Sequence, residues 1–109
     1  MDKFGTIKLN AFNAKIKWFV GDFKSFIKKY KLCNCELEDG YLGMTFKHNG
    51  VYFIYSDGED VYNTIPHEAV HAIARIAECR GILFDITNHE MIAYMVGYVS
   101  GKILDNLTK

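Results

Sequence analysis

Two histidines and a glutamate in His67-Glu68-Ala69-Val70-His71 form an HExxH segment within a stretch patterned as a helix. On a helix, residues four apart stand one turn apart on the same face. Two imidazole nitrogens so placed reach one Zn²⁺ at roughly 2.0–2.1 Å, with the glutamate beside the first of them set to work on an attacking water. Catalytic zinc takes a third protein ligand and keeps one position open. Glu90 supplies the carboxylate of such a His₂Glu set from the segment Thr87-Asn88-His89-Glu90-Met91-Ile92-Ala93-Tyr94. His89 points about 100° away from Glu90 round a helix, and Asp85 falls in a connector, so Glu90 is favoured over both. The longer pattern H-E-x-x-H-x-x-G-x-x-H does not apply, because Ala74 and Ala77 stand where it needs glycine and histidine. The residues therefore point to a Zn²⁺-dependent hydrolase with metal ligands His67, His71 and Glu90 and general base Glu68.

These side chains need two helices to hold them. Thr64 reads as the cap of the first, Pro66 suits its first turn, and Gly81 ends it. Val70, Ile73 and Ala77 form its apolar stripe, with His67, His71 and Ala74 on a different face. Asn88 caps a last helix running to about Leu107. Ala93, Gly97 and Gly101 place small residues on the stripe that also carries Glu90, so a neighbouring helix is expected to pack closely there. Upstream, Ile7 and Leu9, then Ile16, Trp18 and Val20, alternate at period two around a turn at Asn10 to Asn13, which predicts two strands. Asp22 is placed to cap an amphipathic helix whose apolar positions are Phe23, Phe26, Ile27 and Tyr30. Its lysines Lys24, Lys28 and Lys29, with Lys31, read as a solvated face. Tyr41 to Lys47 and Val51 to Tyr55 flank Asn49-Gly50, a hairpin turn signal. His48 in that turn reads as a surface residue.

Composition narrows the function classes. The chain has 109 residues, enough for one domain spanning 1–109. Thirteen basic and thirteen acidic residues balance, so no net field favours nucleic acid, and none is expected as a partner. No apolar stretch reads as a secretory signal or a membrane span, so a cytoplasmic protein without membrane attachment is expected. The three cysteines Cys33, Cys35 and Cys79 are odd in number and read as reduced thiols; Cys33-Asn34-Cys35 is too short and unpaired for a zinc site.

His67-Glu68-x-x-His71 with Glu90 on a following helix resembles the gluzincins, the zincin clan of thermolysin-like peptidases. More closely, Thr64-Ile65-x-His67-Glu68-x-x-His71-Ala72 followed by Glu90-x-x-Ala93-Tyr94-x-x-Gly97-Tyr98 looks like small uncharacterised HExxH proteins encoded in bacteriophage genomes. The resemblance covers residues 51–104 and implies an α+β fold, a minimal zincin-like domain. In it a short, mostly antiparallel sheet packs on the HExxH helix and the C-terminal third-ligand helix, beside one N-terminal amphipathic helix. It implies a zinc metallopeptidase cleaving a peptide or other amide bond, with Glu68 passing the water's proton to the leaving group. Tyr94 or Tyr98 is then expected to orient a histidine or to hydrogen-bond the developing oxyanion. The substrate, a peptide or protein, would add along an exposed sheet edge, with the 51–55 strand as the candidate. The alternative is a catalytically weak or inactive zincin-like binding protein, phage-encoded, that docks on a partner protein.

Overall fold

Strand alternation and helix periodicity resolve into four strands and three α-helices, with one 3-10 turn at Asn10–Phe12, in the computed structural model, which describes residues 2–33, 35–83 and 85–108. The order is β1 (Lys3–Leu9), β2 (Ala14–Val20), α1 (Phe23–Lys29), β3 (Gly43–His48), β4 (Val51–Ser56), α2 (Val61–Cys79) and α3 (His89–Leu107). The strands form one mixed sheet in the order β1-β2-β4-β3. β1 pairs antiparallel with β2, β2 runs parallel to β4, and β3 returns antiparallel to β4.

The two central strands are buried on both faces. Ile16, Trp18, Tyr52 and Ile54 point to the layer of α2 and α3 and join Ile65, Ile73, Ile76, Ile92, Val99 and Ile103 in the larger core. Phe19, Phe53 and Tyr55, the alternate positions, point the other way and close on Phe26 of α1 and on Leu32. The sheet is thus the middle of three layers, with the helix pair on one face and α1 on the other.

Local signals explain most boundaries. Asp22 caps α1, its Oδ2 accepting from the Ser25 amide at 2.9 Å. Asn49 and Gly50 both take positive φ, 50° and 78°, as a two-residue hairpin turn needs. Gly81, at φ 70°, ends α2 while the Ile82 amide reaches back to the Ala77 carbonyl at 2.8 Å. α3 begins directly after Asn88 and ends at Leu107, but the Asn88 side chain makes no capping bond and donates instead to the Leu83 carbonyl.

Other expectations are corrected. α2 starts at Val61, not after Thr64: Asp60 is its cap residue, and Thr64 lies buried in its second turn with its hydroxyl donating to the Glu59 carbonyl. Of the expected stripe Ile73 and Ala77 are buried but Val70 is 40% exposed, and Ile65, Ala69, Ala72 and Ile76 complete the buried face. On α3 the buried residues are Ile92, Val99, Ser100 and Ile103; Ala93 and Gly97 are exposed. A methyl group added at Gly97 or Gly101 would meet nothing within 4 Å. Burying branched apolar side chains outweighs the close approach that small residues permit, so that stripe turns outward. His48 is half-buried, with Nδ1 3.4 Å from Cys35 Sγ, while Cys33 and Cys79 are exposed thiols. Asn34, in the Cys33-Asn34-Cys35 segment, lies outside the described residues. No helix among the described residues is long and apolar enough to cross a membrane.

Candidate metal centre

The HExxH residues divide between two faces of α2. Glu68 falls on the face that packs against the sheet and is 7% exposed. His67 and His71 fall on the outer flank, exposed. Their rings converge: His67 Nε2 and His71 Nε2 are 3.3 Å apart, with ring planes at 74°. Two nitrogens bound to one tetrahedral zinc at 2.0–2.1 Å would lie roughly 3.3–3.4 Å apart, so the pair fits two corners of such a site.

A carboxylate in a core position is costly unless it is hydrogen-bonded. Thr45, in the middle of β3, meets that need: its Oγ1 donates to Glu68 Oε1 at 2.6 Å and lies 3.1 Å from the Glu68 carbonyl. The other oxygen, Oε2, is 4.0 Å from His67 Nε2. Gly43, at the start of β3, makes room for it. A methyl group there would sit 3.1 Å from Glu68 Oε2 and 2.5 Å from Thr64 Cγ2.

Glu68 stands between two recesses along β3. A cleft of about 470 Å³ extends on the His71 side to Arg75, with Met44 and Phe46 of β3 and with Glu36, Glu38 and Tyr41 from the segment before β3. A second recess of about 410 Å³ lies on the His67 side, lined by Leu42, Gly43, Asn63 and Thr64. β3 is an edge strand of the sheet, whereas β4, the strand expected to border the cleft, is paired on both sides. The signal was present: Val51 to Tyr55 is continuously apolar, as a strand covered on both faces requires, while β3 interleaves Thr45 and Lys47.

The structure thus brings together His67, His71 and Glu68, and adds Thr45 and Gly43, which the sequence reading did not single out. It does not bring Glu90 to them. Glu90 lies in the first turn of α3, its side chain 92% exposed and 3.6 Å from His89 Nε2. Among the described residues, no group of three or more His, Cys, Asp or Glu is arranged to hold a metal ion. Tyr94 is 71% exposed on α3, and neither it nor Tyr98 lines the two recesses.

Comparison with known proteins finds no matching family model, no matching curated protein and no matching solved structure.

Proposed function

We propose that the protein is a zinc-dependent, gluzincin-like metallopeptidase that hydrolyses a peptide or other amide bond in a substrate lying along β3. The observation that carries this reading is the buried Glu68 carboxylate, held by Thr45 and 4.0 Å from one of two histidine nitrogens spaced as zinc ligands are. His67 and His71 would hold the zinc; Glu90, the carboxylate ligand the resemblance implies, does not stand with them in this structure. Bound there, zinc would supply Lewis-acid polarisation of the scissile carbonyl and a water acidified to near neutrality.

The chain's own groups have separate tasks. Glu68 takes a proton from the attacking water and returns it to the departing amine, and Thr45 keeps that carboxylate in one rotamer. Burial of Glu68 restricts its approach to the side facing the histidines. The unpaired edge of β3 offers backbone amides and carbonyls to an extended chain, so recognition would come mainly from main-chain pairing. Side chains on the His71 side would enter the larger cleft, and those on the His67 side the smaller recess.

The test is cleavage of a mixed peptide library by zinc-loaded protein, beside Glu68→Gln. Wild-type cleavage at internal amide bonds, lost in Glu68→Gln with fold and metal content unchanged, supports the proposal. Equal product from both proteins would contradict it. A biological effect that survives Glu68→Gln would favour the docking alternative.

A further inference from the structure

The far end of α2 carries a thiol that takes no part in hydrolysis at Glu68. Glu68, Ala72, Arg75 and Cys79 follow one another at helical spacing, so Cys79 continues the stripe that bears Glu68. Cys79 is the last residue of the helix, and its thiol is exposed. Lys47 of β3 reaches it, Nζ donating to Sγ at 3.8 Å. The same ammonium lies 5.4 Å from the centre of the Tyr52 ring on β4, the residue paired with Lys47 across the sheet.

Tyr52 adds a second group aimed at the sulfur. It is 1% exposed, and its hydroxyl completes no hydrogen bond among the described residues. A buried donor left so is costly and is satisfied by an acceptor brought to it. Burial and then the Cys79 thiol push this phenol up, against an opposing pull from Arg80 and Arg75, so thiol and guanidinium groups surround one hydroxyl. Arg80 is held in place by donating to the Phe12 and Asn13 carbonyls at 2.6 and 3.0 Å. Two groups oppose negative charge on the sulfur: Glu78, about 100° round the helix, and the negative end of the helix dipole. Lys47 is the cation in contact with the sulfur that offsets them.

We infer that Cys79 is a site of mixed-disulfide formation with small anionic disulfides, whose carboxylates the surrounding cations attract. A thiol reacts as its thiolate, in electropositive and accessible surroundings of this kind. The Cys79 sulfur, its proton released to water, attacks one sulfur of the disulfide. A new S–S bond forms as the old one breaks, and the departing thiolate takes a proton from water. Lys47 and the Tyr52 hydroxyl donate to the attacking sulfur. No metal at His67 and His71 is required.

The experiment exposes the reduced protein to glutathione disulfide or, in parallel, to the cationic disulfide cystamine, and follows each cysteine by peptide mass spectrometry over time. Cys79 should take up the glutathionyl group before Cys33, the other fully exposed thiol. Lys47→Gln should slow Cys79 about fivefold, the factor one unit charge about 4 Å away in water is worth, and leave Cys33 unchanged. Tyr52→Phe should also slow Cys79 without lowering the melting midpoint, because it removes a hydroxyl that completes no hydrogen bond. Cys33 reacting as fast as Cys79, or both variants reacting like wild type, overturns the site. Cystamine favouring Cys79 over Cys33 as strongly as glutathione disulfide does overturns the selection for anionic disulfides.

Discussion

Replacing Thr45 by valine removes one hydroxyl and little volume, so its cost isolates the hydrogen bond that holds Glu68. The Oγ1–Oε1 distance of 2.6 Å and the 7% exposure of Glu68 place the interaction among buried, charge-assisted bonds. Losing the donor to such a group costs about 1.5–3 kcal/mol, and about 2 kcal/mol is expected here because Thr45 itself is only half-buried. At about 2.1 cal/mol/K per residue, unfolding a chain of this length carries about 0.23 kcal/mol/K. The Thr45→Val melting midpoint should therefore fall by about 9 °C in a thermal melt followed by circular dichroism. Thr45→Ser, which keeps the hydroxyl, should lose less than half of that. In a Glu68→Gln background the acceptor is neutral, and Thr45→Val should cost only about 1 kcal/mol. In the peptidase assay, Thr45→Val should lower kcat more than it raises KM, because it frees the base and leaves the cleft intact. A midpoint within about 2 °C of wild type, or an equal cost in both backgrounds, would refute the hydrogen-bond reasoning.

Gly43→Ala should destabilise by about 2 kcal/mol, since its methyl group meets Thr64 Cγ2 at 2.5 Å; adding Thr64→Ser, which removes that carbon, should recover part of the loss in the same melt. Gly81→Ala should cost about 1 kcal/mol, because φ 70° strains any residue with a Cβ, and urea unfolding checks it. Burial raises the phenols of Tyr30 and Tyr55 from the usual 10 to about 12, and the two donate to the Trp18 and Gly21 carbonyls. A group raised in the folded state lends stability that is complete below its unfolded value and is lost as pH rises through the folded one. Urea midpoints should therefore hold up to about pH 10 and fall between about pH 10 and 12, less steeply in Tyr55→Phe.

Much of the scaffold was legible because its signals are local. Alternation in β1 and β2, the Asp22 cap, the Asn49-Gly50 turn and the Gly81 stop each depend on a few neighbouring residues. The start of α2 was not, because Thr64 and Pro66 imitate a helix opening, and a left-handed Asp60 begins the helix a turn earlier. Which strand forms the edge depends on β2 choosing β4 rather than β3, a non-local pairing seen only indirectly in the apolar run of β4. The pairing of His67 with His71 follows from helical spacing alone, and the burial of Glu68 adds the donor Thr45, 23 residues away in sequence. The placement of Glu90 was not legible, because two possible faces of α3 competed for the core and the one bearing Ile92, Val99 and Ile103 won.

The central claim is that His67 and His71 are zinc ligands with Glu68 set beside them, and metal content tests it most directly. Native mass spectrometry of zinc-supplied wild type beside His67→Ala should show one zinc per chain in the first and none in the second, with both proteins folded. A folded wild type that holds no zinc, or a His67→Ala variant that holds as much, would contradict it.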